Sequence, residues 1–158
     1  MNKVTLRDSK ESDLPIFFEH QQDDIANHMA AFTAKDPTNW NSFSQHWFRI
    51  LADESIITKT IILENQVVGH IVSFEMFNER EISYWIDRAH WGKGIATNAL
   101  KQFLTFVTIR PLYARAAKDN IGSRLVLEKG GFVITGEDNG FANARGMEIE
   151  EYIFTLTN

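Results

Sequence analysis

Three β-runs that feed directly into a glycine-interrupted helix start constrain this chain more than any other feature. Ile56–Leu63 and Val67–Phe77 are rich in β-branched residues and are separated by Glu64-Asn65-Gln66, which reads as a hairpin. A third run, Glu81–Asp87, follows a turn at Asn78-Glu79. It leads through Trp91-Gly92-Lys93-Gly94 into a helix expected over Gly92–Val107, where Ala96, Ala99, Leu100, Phe103, Leu104 and Val107 share one face. A three-strand meander that ends in an amphipathic helix needs a sheet with helical cover.

The flanking segments extend this pattern. Lys3–Arg7 alternates and reads as a first strand. Glu11–Gln22 reads as a helix with Leu14, Phe17, Phe18 and Gln21 on one face. Asp23–Asp36 has enough Ala and Met for another helical turn, ended by Asp36-Pro37. Asn39–Asp53 repeats Trp40, Phe43, Trp47, Phe48 and Leu51 at helical spacing. Leu112–Ala117 is a strand. Ile121–Lys129 is a helix closed by Gly130-Gly131. Phe132–Thr135 and Met147–Leu156 are the last strands, with Gly136–Gly146 read as the loop between them. The order predicts an α+β, three-layer α/β/α fold: a mixed, mostly antiparallel sheet of about seven strands with helices on both faces. No composition break or repeat divides residues 1–158, so one domain is expected.

The chain has no cysteine. That removes disulfide scaffolds, thiolate metal sites, Fe–S clusters and a thiol nucleophile. Any acyl group handled here is not carried on a protein sulfur. The net charge of −5 argues against nucleic acid, whose phosphates demand a basic footprint. Met1–Lys10 lacks an apolar signal core, and no run approaches 18 apolar residues, so a cytoplasmic chain without membrane insertion is expected. His20, His28, His46, His70 and His90 show no metal-ligand spacing, and no metal is inferred.

The chemistry concentrates in Ser83–Thr97. A strand runs into a loop with two glycines around a lysine, and the loop opens a helix. The free N–H groups of a helix's first turn and the positive end of its dipole bind anions, and glycines let a diphosphate approach the backbone. Gly-x-Gly alone also marks ordinary turns. The spacing matches neither a Walker A loop nor a dinucleotide fingerprint.

Two motifs together resemble the GNAT superfamily of acetyl-CoA-dependent N-acetyltransferases, and within it the RimJ/RimL-like branch. The superfamily loop Arg/Gln-x-x-Gly-x-Gly/Ala is filled by Trp91-Gly92-Lys93-Gly94-Ile95-Ala96, with Trp91 replacing Arg/Gln as in that branch. Asn120-Ile121-Gly122-Ser123, followed by Glu128-Lys129-Gly130-Gly131-Phe132, resembles the family's second motif. The resemblance implies acetyl-CoA as co-substrate, with the diphosphate at Trp91, Gly92, Lys93, Gly94, Ile95, Ala96 and Thr97. It places pantetheine along Trp85, Ile86 and Asp87, and further contacts at Asn120 and Ser123. Asn120 reads equally as a simple helix cap.

The implied reaction is direct attack of a primary amine on the thioester in a ternary complex. The acceptor is a peptide or protein N-terminus or a small-molecule amine. Glutamates near the position of Glu81 act as general base in several members, and Glu81 is the candidate here, with Glu75 in reserve; a surface strand carboxylate is the competing reading. Ser123 is the candidate proton donor to the departing thiolate, since Ile121–Phe132 lacks the tyrosine that members often place there. Acceptor contacts are expected from His28, Met29, Trp40, His46, Trp47, Phe77 and Asn78, although Trp40 and Trp47 also fit a core stripe. A homodimer is compatible with this reading. The competing functions are a non-catalytic acyl-CoA-binding module and, more weakly, a nucleotide-phosphate binder.

Overall fold

The computed structural model describes residues 3–158; Met1 and Asn2 of the N-terminal stretch lie outside the described residues. Seven strands form one sheet in the order β1-β2-β3-β4-β5-β7-β6. They are β1 (Val4–Asp8), β2 (Ile57–Leu63), β3 (Gln66–Met76), β4 (Glu79–Ile86), β5 (Leu112–Ala117), β6 (Val133–Ala142) and β7 (Met147–Leu156). The helices are α1 (Leu14–His20), α2 (Asp24–Ala30), α3 (Trp40–Ala52), α4 (Ile95–Phe106) and α5 (Ile121–Lys129). The expected mixed, mostly antiparallel sheet is present, with one parallel pairing, β4 with β5.

The β2–β3 turn is Glu64-Asn65, both at positive φ, which matches the twist of a tight hairpin. Alternation then sorts side chains to two faces. Ile71, Ile82, Ile86, Leu112 and Ala114 join Ala99, Leu100 and Phe103 of α4 and Leu127 of α5 in the larger core. Val72 packs on the opposite face with Leu14 and Phe17 of α1 and Trp47 of α3. Gly69 lies where β3 and β4 come closest: a Cβ there would collide with the Trp85 carbonyl oxygen.

Helix starts follow their sequence signals. Asp23, Asn39 and Asn120 each accept a hydrogen bond from a backbone N–H of the first turn, at 2.8, 3.0 and 3.2 Å. Each such cap is worth about 1 kcal/mol. Arg7 makes a two-pronged bond to the buried Asp13 at 2.7 and 2.8 Å, tying β1 to the entry of α1.

Two sequence expectations are corrected. Gly136–Gly146 is not a loop: β6 continues through it to Ala142, paired with β7, with an irregularity between Ile134 and Gly136. Strand pairing by β7 overrides the turn-like composition of that stretch. The helix expected from Gly92 begins only at Ile95, because Gly92 and Gly94 hold left-handed φ of 76° each.

His70 on β3 sits between Phe17 and Trp47, with ring centroids 4.6 and 4.9 Å away. Burial there pushes its imidazole down to about 3, so it is neutral in the folded protein. The unfolded chain binds a proton at this position below its ordinary value of 6.5. Stability therefore falls as pH drops through that value. We expect the parent chain to lose Tm between pH 7 and 4 and His70→Leu to flatten that loss; an identical slope in thermal melts would refute the assignment.

Candidate active site

Strands β4 and β5 pair only at Arg80↔Leu112 and Glu81↔Tyr113. Beyond that point Ile82–Ile86 and Ala114–Ala117 part, and a cavity of about 1230 Å3 opens between them. The amide of Asp87 donates to the Val68 carbonyl at 2.8 Å, so by antiparallel alternation Trp85 turns its peptide groups into the β3 ladder. The peptides of Ile82, Tyr84 and Ile86 then face the cleft. Trp91 Nε1–H donates to the Ile86 carbonyl at 2.8 Å, anchoring the glycine loop to the end of β4. An arginine or glutamine at this position could not place an indole there.

The loop suits an anionic ligand. Cβ atoms added at Gly92 or Gly94 would meet nothing within 4 Å, so both glycines border open space, and both take a φ that L side chains rarely adopt. The start of α4 behind them leaves first-turn N–H groups without intrahelical partners. The dimensions and chemistry fit the diphosphate and pantetheine of coenzyme A: an open backbone cradle joined to an unpaired strand edge.

Glu81 stands where the strands part and is only 3% exposed. The surface-carboxylate reading is therefore corrected. Its Oε1 lies 3.9 Å from Arg115 Nε, and neither Glu81 Oε2 nor Arg115 Nε has a hydrogen-bond partner among the described residues. Arg115 Nη1 reaches Glu151 at 2.8 Å and Asp138 at 3.0 Å. Burial pushes the Glu81 carboxyl above its ordinary value; Arg115 opposes that shift, while Glu79 and Glu151 add to it. A buried carboxylate with a free oxygen in a cavity can accept a proton near neutral pH.

Of the residues expected from sequence, Glu81, Trp85, Ile86, Trp91, Gly92, Gly94, Ile95, Ala96, Thr97, Asn120 and Ser123 line this one cavity. Lys93 is solvent-exposed and outside it. Asp87 is also outside, engaged with His90 Nδ1 at 3.3 Å. Asn120 lines the wall but is already engaged: Oδ1 caps α5 and Nδ2 donates to the Met29 carbonyl at 3.2 Å. Of the expected acceptor residues only Met29 lines the cavity. Trp40 packs on Phe18 and Phe43, Phe77 is 78% exposed on the β3–β4 turn beside Asn78, and His28 offers its carbonyl to Arg145 at 2.8 Å. His46 and Trp47 also lie outside the cavity, whereas Met29 lines it.

The cavity is also lined by Ile25, Phe32, Pro37, Phe74 and Met76. Phe74 is the register partner of Glu81 and shares its face. Tyr84 and Arg115 were missed as well. Arg115 carried a usable signal, an isolated cation in an otherwise apolar short strand.

The sheet is thus split at a glycine-started helix, with a buried carboxylate in the split. Residues 3–133 match the family described as the acetyltransferase (GNAT) domain. The chain belongs to that family of acetyl-CoA-dependent N-acetyltransferases. Among relatives, YdaF of Bacillus subtilis, provisionally named a ribosomal N-acetyltransferase, is 26% identical over 136 residues, covering 79% of this chain and 74% of that protein. That likeness agrees with the RimJ/RimL-like branch. The uncharacterized N-acetyltransferase p20 of Bacillus licheniformis is 28% identical over 104 residues, covering 61% of this chain and 58% of its own length. The fold matches the crystal structure of spermidine N-acetyltransferase from Vibrio cholerae in complex with CoA and spermine, with a TM-score of 0.83, 16% identity, and coverage of 98% and 95% of the two chains.

The cradle yields a direct expectation. Gly94→Val places a β-branched side chain at φ 76° in the loop's open space. It should weaken coenzyme A binding in calorimetry by at least about tenfold, roughly 1.4 kcal/mol, with circular dichroism unchanged. Native affinity would remove the loop from the binding site.

Proposed function

We propose that this protein transfers the acetyl group of acetyl-CoA to a primary amine by direct attack, as a single domain that holds both substrates at once. The observation that carries this reading is Glu81: a buried carboxylate with an unpaired oxygen, set where β4 and β5 separate. The glycine loop before α4 would hold the diphosphate. The cleft-facing peptides of Tyr84 and Ile86 would hold the pantetheine amides, as an added strand would be held. An N–H among them can also steady the oxygen of the reacting carbonyl.

Glu81 accepts the proton that the amine sheds. An α-amine near pKa 7.8 is neutral in roughly one molecule in seven at pH 7, so one carboxylate suffices. Ser123 faces the departing sulfur from α5. The chamber in front of Glu81 is walled mainly by apolar side chains, which favours an amine on an apolar body. The Vibrio cholerae spermidine N-acetyltransferase was solved with spermine, a ligand with several amines. Here the wall carries Phe74, Met76 and Phe32, and the cavity's second carboxylate, Glu151, is already bonded by Arg115 at 2.8 Å.

The test is release of free thiol from acetyl-CoA with an amine panel: spermidine, phenethylamine, and short peptides with free N-termini. Amine-dependent thiol release, greatest with apolar amines, is expected. Coenzyme A binding without transfer to any amine would favour the non-catalytic module instead. Glu81→Gln should lower kcat about a hundredfold with little change in acetyl-CoA binding. Because burial raises the Glu81 carboxyl, the acid limb of the kcat profile should lie above the ordinary carboxylate range. Arg115→Met removes an opposing positive charge and should move that limb higher, while Arg115→Lys should hold it. A limb indifferent to Arg115 would sink the role of Glu81.

A further inference from the structure

The other wall of the cleft holds a pair of hydroxyls that come from elements far apart in the chain. Tyr84 on β4 donates its O–H to Ser123 Oγ on α5 at 3.1 Å, and both residues line the cavity. The Tyr84 ring packs against the core beneath α4 and α5. Burial raises its hydroxyl pKa, so it remains a protonated donor at neutral pH.

Ser123 is equally constrained. Its amide is held by Asn120 Oδ1 at 3.2 Å, which fixes the first turn of α5. A serine in a helix ordinarily spends its hydroxyl proton on the carbonyl one turn back. No such bond forms here: among the described residues Ser123 Oγ only accepts, from Tyr84. Its proton is therefore uncommitted, and accepting one hydrogen bond strengthens the next one it donates. Glu81 points to the opposite face of β4, because Glu81 and Tyr84 differ by an odd number of positions in one strand. The proton acceptor and the hydroxyl pair thus flank the gap from two sides.

We propose that Tyr84 is a positioning residue for Ser123: by filling the acceptor side of Ser123 Oγ, it turns the serine proton toward the sulfur of the departing coenzyme A. This inference rests on the acetyl-transfer reading. In the step, the amine nitrogen bonds to the acetyl carbon, and the C–S bond breaks with its electron pair left on sulfur. The amine proton goes to Glu81. Ser123 donates a hydrogen bond to the sulfur anion and keeps its proton, as does Tyr84. The tyrosine absent from α5 is in this sense replaced by a strand tyrosine acting through a helix serine.

The probe is coenzyme A itself, whose thiol ionisation in the binary complex is followed by thiolate absorbance against pH. The wild-type complex should ionise about half to one unit lower than either Tyr84→Phe or Ser123→Ala, as expected for one lost hydrogen bond. The double variant should match the single ones. In turnover, each single variant should lose about five- to tenfold in kcat with KM for acetyl-CoA within about twofold. Additive shifts, or a thiol that ignores Tyr84→Phe but responds to Ser123→Ala, would overturn the pairing and leave acetyl transfer intact. Failure of the wild-type protein to bind coenzyme A would overturn both. Should Tyr84→Phe not fold, 3-fluorotyrosine incorporated at the three tyrosines strengthens the donor without removing it. It should lower the thiol pKa further in the wild type and leave Ser123→Ala unmoved; equal responses would refute the proposal.

Discussion

Everything in this molecule that bears on chemistry depends on two parallel strands separating after two residue pairs. Paired β-strands normally satisfy each other's peptide groups, and leaving a central ladder open costs free energy unless something else fills it. Here Arg80↔Leu112 and Glu81↔Tyr113 are made, and the ladder then opens. The sheet survives because β3 and β7 hold the outer edges of β4 and β5 along their lengths. The result is a strand edge inside the protein, available to an extended ligand that carries amides.

The walls of that opening are set before any ligand arrives. Trp91 anchors the loop to Ile86, Asn120 starts α5, and Tyr84 holds Ser123. Around Glu81 the charges are unequally satisfied. Arg115 gives its closest bonds to Glu151 and Asp138 and approaches Glu81 only at 3.9 Å. Glu81 is thus kept near a cation without being consumed by it, a condition in which a buried carboxylate can gain and lose a proton during turnover.

Much of the framework was readable from local pattern. The β2–β3 hairpin, α3, α4, α5 and β7 each carry their periodicity and punctuation within the segment itself. The extension of β6 was not readable, because Gly136, Asp138, Asn139 and Gly140 have the composition of a turn and are held extended only by pairing with β7. The loop motif located one wall of the cavity for the same reason that it folds locally. Most of the residues expected at the acceptor end lie outside the cavity. His28, Trp40, Phe77 and Asn78 were chosen for chemical type, yet exposure and packing depend on neighbours remote in sequence. Glu81 with Arg115, and Tyr84 with Ser123, are likewise pairs across elements, and periodicity within one segment says nothing about them.

Asn120 bridges two elements that lie far apart in the chain, α5 and α2. Its carbonyl oxygen starts the helix bearing Ser123, and its amide holds the Met29 carbonyl at the end of α2. Arg145 grips the neighbouring carbonyl of His28, and Asn143 that of Thr33. The segment is thus held through backbone oxygens at His28, Met29 and Thr33 as well as through its own Asp23, which pairs with Arg88 at 2.7 Å. Exchanging Ile25, Phe32 or Ala34, which line the cavity, would then reshape it while these backbone bonds stay in place, so its contour can drift without rebuilding the sheet.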